Sequence, residues 1–129
     1  GIGGGSSGAG GTVIVIGYPT VIATVGTSAC DIGNGSGGTG ETYIKRDDNS
    51  GQDLTYIRIE IKNMLSGTGN KVSFSGNEHK INSEGLTGFF VERATENMDI
   101  TLTLAGFGAV DTSISPGMSK MQDILLMTM

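Results

Sequence analysis

The stretch LTYIRIEIKN, residues 54–63, places Thr55, Ile57, Ile59 and Ile61 on one side and Tyr56, Arg58, Glu60 and Lys62 on the other. That strict period of two is a β-strand with one face to a core and one to water. It also constrains its surroundings, because a row of isoleucines has to be covered by a second layer. Other runs repeat the pattern. KVSFS turns Val72 and Phe74 inward, and MDITLTL puts Met98, Ile100, Leu102 and Leu104 on one face. LTGFFVER, from Leu86, is another strand candidate.

Two earlier runs carry a different signal. TVIVI, Thr12 to Ile16, and TVIATV, Thr20 to Val25, are rich in β-branched residues and do not alternate. Such strands are expected to be covered on both faces. The stretch ETYIKR, then DDNSGQD, then LTYIRIEIKN reads as a β-hairpin, with cross-strand charge pairs on its wet face. GNEHKINSEG reads as a polar turn in which Ile81 is an anchor, and AGFGAVDTSISPG as a loop holding at most a short strand. The terminal MSKMQDILLMTM suits either a helical face or a buried strand, and the β character of the rest favours the strand.

Glycine supplies the punctuation, at 23 of 129 residues. With no three-residue period, this is not collagen. Low charge, at 16%, separates the chain from disordered sequences. The reading is an all-β single domain over residues 12–129, a β-sandwich or jelly roll of seven to eight short strands. Residues 1–11, GIGGGSSGAGG, are expected to form a flexible glycine-rich arm.

A net charge of −5 argues against a nucleic-acid partner, with Lys45 and Arg46 the one local basic cluster. No apolar run approaches the about 18 residues of a membrane-spanning helix. A single cysteine, Cys30, cannot make an internal disulfide.

The candidate chemistry is sparse. DDNSGQD sets Asp47, Asn49 and Asp53 among alternate positions, a spacing at which oxygen ligands can wrap Ca²⁺. The same residues also suit a plain hairpin turn. GNGSGG, Gly33 to Gly38, matches a dinucleotide fingerprint but leads into a strand, not the helix that site needs. His79 is the only histidine and reads as an exposed loop residue. Asn34 opens an Asn-Gly-Ser glycosylation triplet. Tyr43 and Tyr56 would form a small exposed aromatic pair if the hairpin brought them together, which is the sequence's case for carbohydrate binding.

These observations predict no enzyme and no required cofactor. They predict a structural subunit that assembles with identical copies: a surface filament, a pilus-like fibre, or a virion coat or capsid component. Its setting is then an extracellular surface or a virion. The expected interface is Ile2 of the arm with Val13, Ile14, Val15 and Ile16, exchanged or added as a strand between copies. The alternative is a monomeric β-sandwich module that binds carbohydrate or calcium. TYIKRDDNSGQDLTYIRIEI followed by NMDITLTL resembles the strand arrangement of small RNA-phage coat proteins. The likeness covers a minor part of the chain and no motif specific enough to carry residue roles across.

Overall fold

A computed structural model of the chain describes residues 2–3, 11–23, 32–33, 42–47, 52–65, 69–116 and 122–129. All regular structure among them is β-strand. The organising strand is β5 (Leu54–Lys62), centre of a three-stranded sheet. Strand β8 (Leu86–Glu92) pairs with it antiparallel, and β11 (Gln122–Thr128) pairs parallel along the other edge. Facing it is an antiparallel sheet in the order β10 (Gly108–Ile114), β9 (Met98–Leu104), β6 (Lys71–Phe74), β7 (Asn77–Lys80).

The main core lies between these sheets. Ile57, Ile59, Ile61, Phe89 and Val91 from one meet Val72, Ile100, Leu102, Leu104 and Ile114 from the other. The alternation in the sequence decides this. The isoleucine face of β5 and the Ile100–Leu104 row of β9 can leave water only by facing each other. Thr55 ends the buried row of β5, and its hydroxyl donates to the Pro116 carbonyl at 2.9 Å.

A second, smaller core occupies the opposite face of the β5–β8 sheet. Leu54, Tyr56 and Phe90 project there and meet Val15, Ala23 and Ile44. They are covered by β2 (Gly11–Val15), parallel to β4 (Thr42–Arg46), and by the segment 19–23. A further two-residue parallel pair joins β1 (Ile2–Gly3) to β3 (Ile32–Gly33).

Several local expectations change. The hairpin ladder expected between ETYIKR and LTYIRIEIKN is reduced, among the described residues, to one bridge, Lys45 with Asp53. Strand β5 takes β8 and β11 as ladder partners instead, which leaves β4 to pair with β2 and to cover the second face of β5 at Leu54 and Tyr56. Residues 20–23, expected to be strand, run as an irregular strap with one backbone bond to the sheet, Val21 N to Gly88 O at 2.9 Å. The polar GNEHK segment, read as a turn, is the β6–β7 hairpin. Its two-residue turn is Ser75 (φ 50°) and Gly76 (φ 81°), the left-handed pair that matches strand twist. AGFGAVDTSISPG, read as a loop holding at most a short strand, contains the seven-residue β10, paired along its full length with β9. The C-terminal stretch is a strand, as favoured.

Candidate assembly surface

Strand β2 shows how one sequence run divides between two environments. Val15 is buried and Val13 packs beside it in the second core. Ile14 and Ile16 point the other way and are 53% and 75% exposed. The non-alternating composition of TVIVI predicted cover on both faces, and the chain itself covers one. Along its edges, β2 pairs with β4, and no strand among the described residues takes the other edge.

Strand β11 repeats the arrangement at the end of the larger sheet. Leu125, Met127 and Met129 pack against the main core. Ile124 and Leu126 face outward, 44% and 63% exposed. In the parallel register they stand beside Arg58 and Glu60 of β5, which approach each other at 3.7 Å. An apolar pair is thus bordered by charge. Beyond β11 no strand among the described residues continues the sheet.

The second core is pinned by polar contacts. The Tyr56 hydroxyl donates to the Val21 carbonyl at 2.7 Å and accepts from the Ala23 amide at 3.1 Å, fixing the strap from below. Gly88 lets the strap come this close, since a Cβ there would run into Tyr56 Oη and the Val21 carbonyl. Arg46 is buried; its Nε donates to Glu92 Oε1 at 2.9 Å and its Nη1 to the Gly17 carbonyl. The guanidinium lies 4.5 Å from the centre of the Tyr18 ring. These bonds hold β2 and β4 against the β5–β8 sheet.

Tyr56, expected on the wet face, is therefore fully buried, and its ring is 5.3 Å from that of Phe90. It cannot join an exposed aromatic pair with Tyr43, whose side chain lies outside the described residues. His79 also departs from expectation, being 2% exposed. Its ring stacks on Phe89 at 4.6 Å, and its Nδ1 is hydrogen-bonded to Thr20 Oγ1 at 2.9 Å. Burial holds this imidazole below its ordinary pKa, since the charged form would lose its hydration. The register of the hairpin, which sets His79 opposite the inward Val72, places it inward.

Of the proposed calcium ligands, Asn49 lies outside the described residues. Asp47 is in the turn after β4, and its amide donates to the Val15 carbonyl at 2.9 Å. Asp53 Oδ1 accepts from Lys45 Nζ at 2.7 Å. That hydrogen bond holds the Asp53 carboxyl below the usual carboxylate range. Among the described residues no three acidic, histidine or cysteine side chains group as metal ligands. The two members of the basic pair are both engaged, Lys45 with Asp53 and Arg46 with Glu92. Ile2 pairs through its backbone with Ile32, while the rest of the arm up to residue 10, Cys30 and Asn34 lie outside the described residues. No family model, curated protein or solved structure matches the chain.

Proposed function

We propose that this chain is a self-assembling structural subunit whose identical copies cover one another's open β-surfaces. The observation that carries the reading is shared by β2 and β11. Among the described residues each has one edge that no strand pairs, and large aliphatic side chains stand outward there: Ile14 and, just past the strand, Ile16 at β2, and Ile124 with Leu126 on β11. An uncapped strand edge beside exposed aliphatic rows is a template for another strand. A second copy is the occupant that meets both needs, since it offers edges and rows of the same kind. Contact between unlike edges closes into a ring or continues as a filament, according to the rotation between copies. Either product suits a fibre or coat component at a cell surface or in a virion.

Sedimentation velocity over a wide concentration range tests the reading. The wild-type chain should sediment well above its 13.2 kDa monomer. Paired replacements Ile124→Lys with Leu126→Lys, or Ile14→Lys with Ile16→Lys, should return it to monomer with little change in melting temperature, because these side chains are exposed. A wild-type chain that stays monomeric at millimolar concentration sinks the proposal. Assembly undiminished by both pairs would remove these surfaces from it.

A further inference from the structure

The strap does more than cover the second core. Where it passes the end of β7 and the turn into β8, it forms one wall of a cleft of about 510 Å³. That is within the usual size range of small-molecule sites. Ile22 from the strap, Met64 from the segment after β5, and Ile81 supply apolar wall. Lys80, Asn82 and Ser83 line the same space.

The hydrogen-bond inventory shows what kind of ligand fits. Asn70, also on the cleft, is already committed: its Oδ1 accepts from the Ala105 amide at 2.7 Å and its Nδ2 donates to the Leu65 carbonyl at 3.2 Å. Asn82 Oδ1 accepts from the Glu84 and Leu86 amides, each at 2.9 Å, which fixes the turn. Thr20 Oγ1 is joined to His79. What remains uncommitted among the described side chains lining the cleft is mainly donor capacity: the Lys80 ammonium and the Asn82 amide nitrogen only donate, and the Ser83 hydroxyl can donate or accept. Donors around an apolar hollow, one of them cationic, complement a molecule with an aliphatic body and one anionic acceptor group.

We infer that this cleft binds a small amphipathic monoanion of the alkyl carboxylate type, its chain against Ile22, Met64 and Ile81 and its carboxylate toward Lys80. The site is independent of the strands used for assembly.

Equilibrium dialysis tests this at any assembly state, with octanoate below its micelle-forming concentration as probe and 1-octanol below its solubility limit as the uncharged counterpart. Octanoate should be retained saturably, and about two- to fivefold more tightly than octanol, as a partly exposed ion pair provides. Lys80→Met should erase that preference while leaving chain binding intact, and Ile22→Asp should abolish retention of both. Both side chains are exposed, so these variants should fold as the wild type does. Absence of saturable octanoate retention overturns the site. Equal retention of octanol, or a preference that survives Lys80→Met, overturns the anionic class and the role of Lys80.

Discussion

The two cores of this molecule are built on opposite faces of the same strand, and they hold together differently. Between the sheets, cohesion is apolar packing: rows from β5, β8 and β9 interlock, and the Phe89 ring stacks on both Phe74 and His79. On the far face, the apolar cluster is small, and hydrogen bonds at Tyr56, Gly88 and Arg46 fix the segments that cover it. The difference follows from what covers each face. A regular sheet brings its own backbone bonds and needs only packing. An irregular strap arrives with unpaired amides and carbonyls that have to find partners when buried.

This contrast is sharpened or broken by three measurements. The largest effect is expected from Leu102→Ala, at a fully buried position of the main core. It should cost about 2–5 kcal/mol in urea unfolding, the range for such truncations. A loss well under 1 kcal/mol would mean the sheets do not interlock as described.

Next comes Tyr56→Phe, which keeps the ring and removes a hydroxyl serving two backbone groups. Its cost should be about 1–3 kcal/mol, because the Val21 carbonyl and Ala23 amide are left without that partner. Hydrogen exchange should show the Val21 and Ala23 amides losing protection while β9 keeps its own. A uniform loss across both would show that the small core is not separately anchored.

The smallest effect is a pH dependence traceable to His79. Its pKa is lowered in the folded chain from an ordinary 6.5, so below that value the unfolded chain binds more protons. Stability is then fully present above pH 6.5, declines as pH falls, and levels off once the folded imidazole is also protonated. Asp53 titrates from below its ordinary 3.8, so its contribution is lost in a separate, more acidic window. Denaturation midpoints compared between wild type and His79→Gln should converge in the acid range. A wild-type midpoint flat between pH 7 and pH 5 would show that the ring is not buried against Phe89.

Much of the larger core was legible in the primary sequence. Alternation in β5, β6 and β9 names the inward residues without reference to partners, since neighbouring side chains on a strand must point to opposite sides. Ile81 was legible too, as the one aliphatic side chain in a polar stretch. The smaller core was not. Tyr56 sits at a position whose period assigns it to water, and only the arrival of the strap and of β2–β4 over that face buries it. His79 lies in a run polar enough to read as a turn, and the left-handed Ser75–Gly76 pair converts that run into a hairpin. On the candidate surface, the composition of TVIVI pointed to β2 but did not separate Val13 and Val15 from Ile14 and Ile16. That division depends on which side of β2 meets the second core.

Residue order alone determined that this chain is all-β and which rows of its strands avoid water, because periodicity is a local property of the backbone. Tertiary structure decided the choice of neighbours: β5 beside β11 rather than in a hairpin with β4, and a strap rather than a strand over Gly88. Those choices turn on contacts between residues far apart in the chain, where competing pairings have similar local preferences and differ only in what they bury together.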